Sequence, residues 1–124
     1  MSYPELLGDQ VFSALMTTDK YITVNKDTVM AVIRAYQKSL TDINAHPDSA
    51  INTAIKYFSQ LEKPVIEASV NRIIREKVIP ESVLMTEESW NKAIAERVRV
   101  GDLKSTSPLA DNVAIDLIKE ALSK

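Results

Sequence analysis

Apolar residues recur along this chain with two different periods. Between Gln10 and Thr17 they occupy both faces of a two-residue repeat, with Val11 and Leu15 on one side and Phe12, Ala14 and Met16 on the other. That alternation predicts a short strand over residues 10–17, buried on both faces. Residues 1–9 read as an irregular lead-in, with turn formers at Pro4, Gly8 and Asp9. No second strand of similar quality follows. A lone buried strand leaves its N–H and C=O groups unpaired, which is costly. The predicted strand therefore wants a partner from outside the visible sequence, either further chain or a second copy of this one.

From Asn25 the period becomes helical. Asn25 reads as an N-cap, and Val29, Val32, Ile33, Tyr36, Leu40 and Ile43 recur at steps of three and four. Arg34, Lys38 and Asp42 share another face at four-residue spacing, where water should reach them. This helix stops near Ala45, because Pro47 disfavours helical geometry at His46. Pro47 then suits the first turn of a second helix with an inward stripe of Ile51, Ala54, Ile55 and Phe58. Pro64 opens a third, with Ile66, Val70, Ile73 and Ile74 inward, and Pro80 ends it. Val78 to Met85 reads as an extended connector. Thr86 caps a fourth helix, with Glu87 and Glu88 at the positive end of its dipole and Trp90, Ala93, Ile94 and Val98 inward. Gly101 stands where a left-handed C-cap is expected. A fifth helix starts near Asp111 and buries Val113, Ala114, Leu117, Ile118, Ala121 and Leu122. The expected fold is mainly α: about five amphipathic helices after one short N-terminal strand. Residues 1–124 form a single helical unit, with the helical region at 25–123, and no solenoid period recurs.

Composition narrows the function. Apolar residues are 45 % and charged residues 26 % of the 124 positions, so a packed domain is expected rather than a disordered tail. With only two glycines, Gly-rich phosphate loops are excluded. The absence of cysteine removes disulfides, thiolate metal sites and thiol catalysis, and the single histidine removes a His-clustered metal site within one chain. The net charge is −2 with interspersed signs, which argues against nucleic-acid binding. The longest apolar run, Val29 to Ile33, is far short of the roughly 20 residues of a membrane span. No basic residue precedes Lys20, so no secretory signal can be read at the start.

Few residues invite chemistry. His46 as a general base has no catalytic partner at a recognisable spacing, and reads as a loop residue ending a helix. Glu87 and Glu88 are adjacent and point in different directions, so they serve the helix start rather than share a proton or a metal. Trp90 at its spacing from Ala93 and Ile94 reads as core. Tyr21, Tyr36 and Tyr57 are expected to bury their rings and leave their hydroxyls near water. No Ser-His-Asp order, P-loop or zinc spacing is present. The chain is therefore expected to be neither an enzyme nor the holder of a cofactor or metal.

The order of elements carries a resemblance. The strand Val11–Thr17 is followed by Thr18-Asp19-Lys20-Tyr21-Ile22, then by a long helix containing Ala35-Tyr36-Gln37-Lys38-Ser39-Leu40, then by Asn44-Ala45-His46-Pro47-Asp48-Ser49-Ala50. Further on stand Met85-Thr86-Glu87-Glu88-Ser89-Trp90 and Leu109-Ala110-Asp111-Asn112. This order resembles the C-terminal part of the substrate-binding proteins of ABC importers for nitrate, sulfonates, taurine and thiamine-precursor pyrimidines, over roughly residues 4–122. The resemblance implies a C-terminal portion of a type II periplasmic-binding fold, lacking the first lobe and most of the second lobe's sheet. It implies a fragment of an extracytoplasmic, periplasmic protein that captures a small anionic solute and delivers it to a membrane permease, with closure of two lobes as the mechanism. Ligand contacts in such proteins cluster where the chain crosses between lobes. Gly8, allowing close backbone approach, and Gln10, able to hydrogen-bond a polar solute, are the candidate ligand-binding residues. The alternative is a stand-alone all-α interaction module, acting as a homodimer through the Val11–Thr17 strand.

Overall fold

A computed structural model describes residue 8 and residues 10–123. Most of the lead-in predicted at 1–9 lies outside the described residues. The described chain is mainly helical: α1 (Asp19–Val24), α2 (Lys26–Ala45), α3 (Pro47–Tyr57), α4 (Lys63–Arg75), α5 (Glu87–Arg99), a 3-10 turn (Leu109–Asp111) and α6 (Ile115–Leu122).

Each boundary has a local cause. Thr18 caps α1, its hydroxyl accepting from the Tyr21 N–H at 3.1 Å. Helix α1 is absent from the expected set, although Thr18 followed by Asp19 is an ordinary helix start. Asn25 lies between α1 and α2, but its side chain does not cap α2. Its Nδ2 donates back to the Tyr21 carbonyl, closing α1 instead. Pro47 and Pro64 sit in the first turns of α3 and α4. Thr86 opens α5 with a capping box, exchanging backbone-to-hydroxyl bonds with Ser89 at 3.1 and 3.3 Å.

Two helix ends share one geometry. After α4 the Lys77 N–H bonds Ile74 and the Val78 N–H bonds Ile73; after α5 the Gly101 N–H bonds Val98 and the Asp102 N–H bonds Arg97. Both are Schellman closures. Gly101 has φ 86°, as expected of a left-handed cap, whereas Lys77 adopts φ 51° without being glycine. Helix α4 therefore ends at Arg75, closed by Lys77 before Pro80 is reached. The last helix also starts later than Asp111. Asn112 turns its Nδ2 onto Ser107 Oγ at 2.7 Å and the Pro108 carbonyl at 2.8 Å, which ends the 3-10 turn. The α-helix resumes at Ile115.

Packing comes in small clusters. Helices α3 and α4 form a hairpin around buried Ile51, Ile66 and Val70, with Ala50, Ala54, Ile55 and Ile74 against them. Helix α2 packs on α3 and on α6, and contributes Met30 while α6 contributes Ala121, which are 3 % and 0 % exposed. Leu109 is buried where the 3-10 turn meets α5. Several expected inward positions are exposed instead: Val32, Tyr36, Phe58, Ile73 and Leu122, with Tyr57 at 80 %. On α2 the stripe is rotated toward Met30, Ile33, Gln37 and Leu40, because the facing elements, not the widest apolar arc, choose the buried line.

The strand predicted at 10–17 is absent; no strand occurs among the described residues. Residues 10–18 belong to no helix or sheet. One backbone bond, from the Val11 N–H to the Ser89 carbonyl at 3.3 Å, ties the segment to α5. Phe12, Leu15 and Met16 are 80, 64 and 93 % exposed rather than buried on both sides. The alternation encodes an extended conformation, but a strand also needs a ladder partner, and a buried one needs covering layers. The described chain supplies neither.

Candidate functional site

One open groove, of about 550 Å³, lies between the connector and the C-terminal stretch. Leu84, Met85 and Glu87, at the end of the connector and the start of α5, form one wall. The other wall is the stretch from Leu109 through Val113 and Ile115 to Leu117 and Lys119. Its volume falls in the range of ligand pockets, and its lining is predominantly aliphatic with Glu87, Asp116 and Lys119 as the charged members.

Helix α2 positions both walls. It packs on α6 directly, and Lys26 Nζ pairs with Glu120 Oε2 at 2.6 Å. Gln37 holds the connector at two points: its Nε2 donates to the Glu81 carbonyl at 2.9 Å, and its Oε1 accepts from the Val83 N–H at 3.1 Å. A primary amide is the side chain that can serve one backbone donor and one backbone acceptor together. In sequence Gln37 reads as a polar residue inside an amphipathic helix. Its role became visible only once the connector lay beside it.

The sequence candidates are dispersed around this groove. Gly8 has φ 70°, and a Cβ there would stand 3.2 Å from Lys92 Nζ, so close backbone approach is real but directed at α5. Gln10 is half-buried near the same helix, where Val11 bonds Ser89. Neither residue lines the groove. Lys92 itself pairs with Glu88 at 2.7 Å, and that hydrogen-bonded ammonium holds the Glu88 carboxyl below its ordinary range. Glu87 does line the groove; the two adjacent glutamates diverge, as the helix requires. Trp90 is half-buried, and its Nε1–H donates to the Ser107 carbonyl at 2.8 Å, tying the 102–108 loop to α5. His46 Nδ1 lies 2.9 Å from Asp42 Oδ1 at the α2–α3 corner, both side chains exposed. Among the described residues no group of three or more His, Asp or Glu side chains could hold a metal, and no helix is long and apolar enough to cross a membrane. What the groove offers chemically is apolar contact, with Glu87, Asp116 and Lys119 as its charged lining.

No family model matches this chain, and no solved structure matches it. Among curated proteins it is 23 % identical over 124 residues to "Putative binding protein YtlA" of Bacillus subtilis (strain 168), an alignment covering 99 % of this chain and 37 % of that protein. The chain thus spans little more than a third of the length of the curated relative it matches. The assignment to ABC-importer substrate-binding proteins is corrected by this result: the shared motifs are short, no family model recognises them, and the relative's name carries binding without a transporter class.

Proposed function

We propose that this chain is the helical portion of a larger protein that binds a small solute, and that it acts by binding rather than catalysis. One observation carries the reading: the similarity to a protein named for binding runs through nearly the whole chain, yet covers only 37 % of that relative. The shape of the molecule supports it. The groove is open, its lining is mostly aliphatic, and several large apolar side chains of the described residues are exposed. High-affinity sites for small polar solutes enclose most of the ligand and place several hydrogen-bonding groups around it. Such enclosure requires a second wall. In this reading the solute is small, and the second wall comes from polypeptide beyond these residues.

A comparison of two proteins tests the reading. The 124-residue chain and the longest reading frame that contains it are each screened by thermal shift against nitrate, taurine, alkylsulfonates and a panel of small neutral and cationic solutes. The longer protein should be stabilised by at least one of these solutes, and the short chain by none. A shift of the short chain alone, or no shift of the longer protein by any solute, would overturn the proposal.

A further inference from the structure

The connector between α4 and α5 is lightly anchored for a stretch that forms a groove wall. No side chain from Val78 to Met85 is fully buried. Among the described residues, two hydrogen bonds tie residues 79–85 to the rest of the chain, and both run to Gln37. Segments with few buried contacts and few bonds open locally, well below the cost of global unfolding. The connector is nonetheless stiff within itself. Pro80 fixes its own backbone angle, and the Leu84 N–H donates to Ser82 Oγ at 3.1 Å. Its two ends are held by the Schellman closure on α4 and by the capping box at Thr86. At the first end Lys77 holds φ 51°, a left-handed angle that is costly for a residue with a Cβ. Backbone outliers of this kind concentrate at switch regions and ligand clamps.

We propose that residues 78–85 swing as one strap about Lys77 and Thr86, that Gln37 is its latch, and that releasing the latch widens the groove. Leu84 and Met85 belong to the strap and line the groove. Release carries them away from the facing stretch at 109–119 and uncovers the aliphatic side chains there. The facing wall does not follow, because α6 is packed on α2. Helix α2 is thus the fixed spine of both walls, and one amide on it sets the groove narrow or wide. An apolar ligand that needs the wide setting displaces two neutral hydrogen bonds, which water replaces on release, so its binding and the unlatching are coupled. Strap and latch both lie within this chain and are independent of any wall supplied from outside it.

Three methionines make the motion directly readable. Met16 is 93 % exposed, Met30 is 3 % exposed on α2, and Met85 is half-buried on the strap. Thioether oxidation follows exposure. Brief treatment of the 124-residue chain with hydrogen peroxide, read by peptide mass spectrometry, should oxidise Met16 first, Met85 next and Met30 last. Gln37→Leu keeps the side chain's bulk and removes both bonds to the strap. It should speed Met85 oxidation about fivefold and leave Met16 and Met30 unchanged. Gln37→Ala should do the same. Met85 oxidised at the wild-type rate in either variant would overturn the proposal, because no latch was released. Met30 accelerated by the same factor as Met85 would overturn it too, because the chain then opens as a whole.

Discussion

Ile51, Ile66 and Val70 interlock between α3 and α4, while Phe12, Leu15 and Met16 stand in water. The two sets are about equally apolar. The difference lies in what the chain places opposite them. The hairpin presents a stripe to a stripe across a short turn, so a local connection brings both partners together. Among the described residues the N-terminal segment has one backbone tie, from Val11 to Ser89, and leaves Phe12, Leu15 and Met16 largely exposed. Burial is thus a property of pairs of surfaces rather than of residues.

The largest expected effect breaks the hairpin side. Ile66→Ala removes a 3 % exposed side chain from the cluster and should destabilise the chain by about 2–4 kcal/mol, read as a lowered urea midpoint. Leu15→Ala, measured at the lowest workable concentration, should change stability by less than about 0.5 kcal/mol. Equal effects at the two positions would remove the distinction between them.

The connector comes next. Gln37→Ala leaves the Glu81 carbonyl and the Val83 N–H without their partner and should cost about 1–2 kcal/mol. Amide exchange at Val83 should accelerate before that of the α3–α4 hairpin. Gln37→Glu keeps an acceptor for Val83 but sets a carboxylate oxygen against the Glu81 carbonyl, so it should not rescue the loss.

The two Schellman closures give a smaller effect with opposite signs. Lys77→Gly relieves a side chain from φ 51° and should raise stability by about 0.5–1 kcal/mol, whereas Gly101→Ala should lower it by about 1 kcal/mol. A Cβ at Gly101 would meet nothing within 4 Å, so the loss would come from backbone conformation alone.

The smallest effect is electrostatic. Glu88 is held below its ordinary range by its hydrogen bond to Lys92, and Glu96 by its hydrogen bond to Arg99. A carboxyl depressed in the folded state adds stability above its unfolded pKa and loses it as pH falls through the folded one. An NMR titration should place Glu88 below an ordinary glutamate, and Lys92→Ala should return it there. Both glutamates are exposed, so added salt should shrink the difference.

Much of the helical framework was legible because its signals are local. Pro47, Pro64, Thr86 and Gly101 act through their own backbone geometry, and they mark helix boundaries without help from the rest of the chain. Helix α1 was equally local, yet hidden because Thr18 and Asp19 directly follow a strand-like pattern. The rotated stripe of α2 and the Gln37 clamp were not legible. Each depends on an element many residues away, and no period in α2 announces that the 81–83 connector will lie beside it.

Capping chemistry and proline placement were enough to set the starts at Pro47, Pro64 and Thr86, since both act over a few bonds. Which apolar side chains would be covered, which amide would hold a distant loop, and whether residues 10–17 would join a sheet all waited on long-range packing. Such packing depends on surfaces meeting, and a single chain's pattern does not say which surfaces will meet.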